Sequence, residues 1–225
     1  MRLNDLRDVA MGEEQPAVYL IDDDASVREG IADLLRSVGH RVQSFESAQT
    51  FLDNTSPDAA GCIVLDVRLP GPSGLEVQRA LIQKKVRLPI IFITGHGDIP
   101  MTVRAMKSGA IEFLTKPVHE QQLLDAVQEG LERDRNSRKE AEFVVELQDR
   151  LLLLTPRERE ILMLVVRGLR NKQIAAEAGV SEMTVKVHRS HVMQKMRANS
   201  VVELVRMVDQ LGLSDHESGG TIPTA

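Results

Sequence analysis

The feature that most restricts the fold of this 225-residue chain is an alternation confined to its first half. Short apolar runs occur at 17–21 (AVYLI), 41–45 (RVQSF), 61–65 (GCIVL), 89–94 (PIIFIT) and 110–114 (AIEFL). At 26–37, 46–53, 73–84, 99–108 and from 119 onward, apolar residues instead recur with the 3.6-residue period of an amphipathic helix. Strands that alternate with helices pair in parallel, because each helix carries the chain back to the starting edge of the sheet. The expectation is a doubly wound α/β domain, a five-stranded parallel sheet covered by helices on both faces. Ser26 with Glu29, and Ser73 with Glu76, fit the S-x-x-E capping box and set the expected starts of two helices.

In such sheets ligands gather outside the carboxyl ends of the strands. Asp22 and Asp23 follow the first run, Asp66 ends the third, Thr94 closes the fourth and Lys116 follows the fifth. Three carboxylates brought together disfavour one another's ionisation unless a cation joins them. An all-oxygen ligand set suits Mg²⁺ or Mn²⁺. Lys116 and the Thr94 hydroxyl suit an anion rich in acceptor oxygens, such as a phosphoryl group. Asp66 is then a candidate nucleophile that forms an aspartyl phosphate. Asp24, where the chain turns into the first helix, suits that helix's N-terminus better than a metal. His96, between two glycines, reads as a loop residue without a chemical role. Cys62, the single cysteine, reads as a small buried hydrophobe and excludes a disulfide framework. The first residues lack the apolar core of a signal peptide, and no run reaches the roughly 18 apolar residues of a membrane span. A cytoplasmic protein with no membrane partner is expected.

The second half has a different character. Net charge is −5, but residues 155–212 hold ten Lys/Arg against six Asp/Glu, which makes that segment +4 and the remainder −9. An acidic part joined to a basic one implies two jobs. The expected division is an N-terminal extension at 1–16, the α/β domain at 17–130, a helical linker at 131–151, an all-α domain at 152–212 and a disordered tail at 213–225. Thr155-Pro156-Arg157-Glu158 combines an N-cap Thr, a Pro at N1 and a Glu at N3. Around Gly179-Val180-Ser181 the pattern is helix, glycine turn and Ser-capped helix, which is that of a helix-turn-helix. Val185, His188, Val192 and Met196 form a core-facing stripe on the second of these helices, leaving Lys186, Val187, Arg189, Ser190 and Lys195 toward the outside or the flanks. A valine between basic residues suits a major groove, where it meets a thymine methyl while Lys186 reaches guanine or phosphate. The helix start at Asn171-Lys172 suits a backbone phosphate. In the last helix, Val201, Leu204, Val205 and Val208 serve core packing and dimerisation.

Residues 17 to about 130 resemble the receiver domain of two-component response regulators, through "LIDDD", "VLDVRLPGPSG", "IFITGHGD" and "FLTKP" in that order. The resemblance implies a flavodoxin-like strand order of 2-1-3-4-5. It further implies that Asp66 accepts phosphate from a sensor histidine kinase and that Asp22, Asp23, Asp66 and the backbone carbonyl of Arg68 hold Mg²⁺. Thr94 and Lys116 would bind the phosphoryl oxygens, Phe113 would be the aromatic switch residue, and the Lys116–Pro117 bond would be cis. Residues 152 to about 210, with "LTPREREIL" and "GLRNKQIAAEAGVSEMTVKVHRSHVMQKM", resemble the LuxR-type helix-turn-helix of NarL/FixJ-class regulators. That resemblance puts Lys186, Val187 and Ser190 at base-contacting positions on double-stranded DNA, with Thr184, Arg189, Lys172 and Lys195 around them. The implied protein is a phosphorylation-controlled transcriptional regulator, not an enzyme, that forms a homodimer when phosphorylated and works with RNA polymerase. The rivals are a Mg²⁺-dependent aspartyl-phosphate hydrolase and a receiver that mainly drains phosphate from a kinase. The hydrolase commonly needs an acid two residues beyond its nucleophile, where this chain has Arg68.

Overall fold

A computed structural model describes residues 15–213, except 73, 85, 96–102, 104, 105 and 108. The expected helix at 99–108 therefore lies largely outside the described residues, as do Ser73 and His96. The chain divides into two compact units, Met1–Arg138 and Lys139–Ala225.

In the first unit, β1 (Ala17–Ile21), β2 (Arg41–Phe45), β3 (Gly61–Asp66), β4 (Ile90–Thr94) and β5 (Glu112–Thr115) form one sheet in the order β2-β1-β3-β4-β5. Every neighbouring pair is parallel. Because side chains alternate along a strand, each strand feeds two cores. Tyr19, Ile21, Ile63, Leu65 and Phe92 meet Phe51 and Leu52 of α2 (Ala48–Asn54) and Val77 and Leu81 of α3 (Gly74–Gln83). Val18, Leu20, Val64, Ile91 and Ile93 meet Ile31 and Leu35 of α1 (Ala25–Ser37) and Leu123 and Val127 of α4 (Glu120–Leu152). This is the doubly wound arrangement. Burying one such Leu, Ile or Phe stabilises the fold by about 1.5–3 kcal/mol.

The start of α1 differs from the capping-box expectation. Asp24 is the N-cap, and its Oδ1 accepts the N–H groups of Ser26 at 2.9 Å and Val27 at 3.2 Å. With Asp24 in that position Ser26 is the second helical residue, too far into the turn to cap it. The stretch 131–151, expected as a helical linker, is helical throughout as part of α4. Within the first unit, Asp134 hydrogen-bonds to Gly61, and Arg138 to Asp58 and Ala59. Phe143, Leu147 and Leu151 pack into the core of the second.

That second unit continues with α5 (Pro156–Val166), α6 (Asn171–Ala178), α7 (Glu182–Met196) and α8 (Val201–Gln210). Thr155 and Glu158 form the full capping box at α5. Gly179 ends α6 in the left-handed region at φ 66°, a conformation glycine adopts without strain, and Ser181 then caps α7. Of the expected stripe, Val185, Val192 and Met196 are fully buried and His188 is half-buried. On α8 the buried residues are Leu204, Met207 and Val208, whereas Val201 and Val202 are exposed. Among the described residues, no helix is long and apolar enough to cross a membrane.

Candidate functional site

The sheet register builds the acidic pocket. Ile21 pairs with Leu65, Asp66 with Ile93 and Thr94 with Thr115, so the residues at or just after these strand ends share one edge. Asp22 and Thr94 are fully buried, Asp66 is almost so, and Asp23 is exposed. The carboxylates of Asp22, Asp23 and Asp66 offer oxygens within 4.8 Å of one another.

Lys116 bridges two of them. Its Nζ lies 2.6 Å from Asp22 Oδ2 and 2.5 Å from Asp66 Oδ2. Burial works to lower the ammonium's pKa, but the hydrogen bonds to Asp22 and Asp66 outweigh it and raise the value above 10.5. Burial also opposes charge on Asp22, and Lys116 and the backbone N–H of Asp24 act against that. Asp66 Oδ1 accepts the N–H of Arg68 at 2.8 Å. The Lys116–Pro117 bond is cis. Phe113 is half-buried, its ring 6.4 Å from that of Phe92.

A divalent cation fits this pocket. Three carboxylates against one ammonium leave two negative charges, and the donors are all oxygen. The single cysteine has no part in the site. Cys62 lies on β3 with no exposed surface, and burial, with Asp134 adding to it, pushes its thiol up to about 12.

In the second unit, α7 presents Lys186, Val187 and Ser190 outward. Val187 is 47% exposed, and Met183, one turn earlier, is 71% exposed. The sequence reading missed Met183; its signal was an apolar residue placed two positions after the Ser181 cap. Thr184 supports the helix start, its N–H donating to Ser181 Oγ at 3.1 Å. Lys172 is exposed on α6. Arg189 is half-buried and donates to Asn171 Oδ1 at 2.8 Å. Lys195, placed toward the outside or the flanks by the core-facing stripe, is half-buried and pairs with the buried Glu158 at 2.6 Å. That hydrogen bond, with the Thr155 N–H, holds the Glu158 carboxyl down at about 2.

Residues 18–128 match the response regulator receiver domain, and residues 152–208 match the bacterial regulatory proteins of the luxR family. Nodulation protein W of Bradyrhizobium diazoefficiens is 52% identical, over 91% of this chain and 90% of that protein. The transcriptional regulatory protein FixJ of Azorhizobium caulinodans is 44% identical, over 91% and 96%. Among solved structures, that of the response regulator StyR has a TM-score of 0.74 at 52% identity, over 87% of this chain and 98% of that one. Full-length FixJ from B. japonicum gives 0.54 at 39% identity, over 88% and 98%.

Proposed function

Given that the chain belongs to the response regulators of two-component systems, those that join a receiver to a luxR-family DNA-binding domain, we propose that Asp66 is its phosphoacceptor and that phosphorylation there controls how the second unit engages DNA. The observation that carries this reading is the double bridge from Lys116 to Asp22 and Asp66 at the carboxyl edge of the sheet. It holds a cation where phosphoryl oxygens would arrive.

In this reading an oxygen of Asp66 attacks the phosphorus of a phosphohistidine on a sensor histidine kinase. The phosphorus–nitrogen bond breaks and the imidazole leaves. Asp22, Asp23, Asp66 and the carbonyl of Arg68 would hold Mg²⁺, which when bound offsets the charge of the attacking carboxylate and of the phosphoryl oxygens. The phosphorylated side chain carries nearly one more negative charge than the carboxylate it replaces. Lys116 then exchanges Asp66 for a phosphoryl oxygen, and Thr94 donates to another. Phe113, which has no hydroxyl, follows Thr94 by packing alone.

The consequence is a homodimer whose two α7 helices reach half-sites about one DNA turn apart. Lys186, Val187 and Ser190 face the bases. Thr184, Lys172 and Arg189 position the helix on the phosphates, Arg189 while tied to Asn171. Lys195 stays with Glu158 and leaves that set. RNA polymerase and a cytoplasmic location complete the reading. Arg68 is exposed and basic, which gives a hydrolase no acid at the position where it commonly needs one.

Acetyl phosphate labelling with Mg²⁺ tests the site. Asp66→Asn abolishes the label, and equal labelling of variant and native protein would reject Asp66. DNase footprints at fixed salt, with and without acetyl phosphate, test the output.

A further inference from the structure

Glu158, His188 and His191 bring together a carboxylate and two imidazoles, each with a ligand atom within 4.8 Å of the others. We propose that they form a site for a divalent metal ion of the zinc class, distinct in chemistry from the all-oxygen receiver pocket.

The fold builds this cluster from two helices. Glu158 is the N3 residue of α5, where the capping box fixes its side chain. Its Oε2 accepts Thr155 N–H at 2.9 Å and Lys195 Nζ at 2.6 Å. Its Oε1 faces His191 Nδ1 at 3.4 Å. His188 and His191 are three residues apart on α7, so their rings rise from the same side of the helix. Around a tetrahedral ion with bonds of 2.0–2.1 Å, ligand atoms lie roughly 3.3 Å apart. The Glu158–His191 pair is already at 3.4 Å, and a ring nitrogen of His188 lies within 4.8 Å of both.

A second observation concerns His188. Its Nδ1 is buried and has no hydrogen-bond partner among the described residues. Buried polar atoms without partners are uncommon and call for a reason. The fold commits no hydrogen bond of its own to that nitrogen, which leaves the imidazole available. Two imidazoles and one carboxylate are a usual three-residue set for Zn²⁺, with water as fourth ligand. His191, half exposed, keeps that fourth side open to solvent. Lys195 and the Thr155 N–H would act as outer partners that orient the carboxylate. A bound ion would tie the start of α5 to the middle of α7, the helix that carries Lys186, Val187 and Ser190.

The test uses the full-length chain in excess Mg²⁺, so that the receiver pocket does not report. Calorimetric titration with Zn²⁺ is expected to give one equivalent per chain, and Co²⁺ to give the intense visible absorption of a four-coordinate site. His191→Ala, in a half-exposed side chain, should keep the native far-UV circular dichroism and lose at least about tenfold in affinity. His191→Cys, which restores a ligand, should recover both signals. Unchanged Zn²⁺ affinity and Co²⁺ spectrum in His191→Ala would overturn the site, as would native protein that gives no intense Co²⁺ absorption.

Discussion

Asp134 Oδ2, on α4, accepts the backbone N–H of Gly61, at the start of β3, at 2.9 Å. The same oxygen accepts Arg138 Nε at 2.9 Å, and the Arg138 guanidinium reaches the carbonyls of Asp58 and Ala59. The buried Asp134–Gly61 bond, flanked by the half-exposed Arg138, fixes the helix to the first residue of the strand whose last residue is Asp66. Asp134→Ala leaves the buried Gly61 N–H without its acceptor and removes the carboxylate partner of Arg138, whose guanidinium keeps only the two carbonyls. We expect a loss of about 1–3 kcal/mol in urea unfolding of the receiver.

Gly61 itself admits no side chain. Its φ is 134°, and a Cβ built there would fall 1.8 Å from the carbonyl oxygen of Ala17 on β1. Gly61→Ala must either push β1 and β3 apart or abandon that backbone conformation. The expected cost is about 3 kcal/mol or more, read as a lowered urea midpoint.

Cys62, next in sequence, gives a pH-dependent signal. Its thiol is raised from 9.0 to about 12, chiefly by burial, so the neutral form is the one the fold favours. That contribution is whole below pH 9 and is lost as pH rises toward 12. At pH 8 the native chain should resist a thiol reagent, and urea should expose one reactive thiol per chain. Rapid labelling of native protein would contradict the buried placement.

The pocket residues were legible because each sits at or just after the end of an apolar run, and parallel strands bring such ends together whatever the loops do. Asp134 and Arg138 were not. They lie in a charge-rich stretch where several acids and bases look alike, and only the approach of β3 selects one of each. Lys195 illustrates the same limit, since helical periodicity puts it toward the outside or the flanks without showing that a buried Glu158 on another helix waits there. Ser26 failed for a local reason. Asp24, two residues earlier, reaches the same backbone N–H groups from the position where capping works.

Lys116 neutralises one of three pocket carboxylates, so its removal has two opposed effects. Lys116→Ala leaves the buried Asp22 without a cation, an expected loss of about 3 kcal/mol in metal-free buffer. It also leaves three negative charges where native protein has two. Mg²⁺ should therefore raise the thermal midpoint of the variant more than that of native protein. An equal Mg²⁺ response in both would reject the assignment of the cation to this pocket.

Lys186 and Val187 are adjacent on the outer face of α7 but act by different physics, which binding measurements can separate. An ammonium on a phosphate releases counterions, so Lys186→Ala in that role lowers the slope of log affinity against log salt by about 1 on every sequence. An ammonium on a guanine edge instead costs about 1–3 kcal/mol at one base pair and relaxes specificity there. Val187 carries no charge, so Val187→Ala should leave the salt slope unchanged. It should lose about 1 kcal/mol, confined to sites with a thymine methyl opposite it. Exposed Met183, one turn earlier, widens the same apolar strip, and Met183→Ala should act on the neighbouring base pair in the same salt-independent way. Footprints that weaken equally on all sequences for Val187→Ala would remove this face of α7 from the groove.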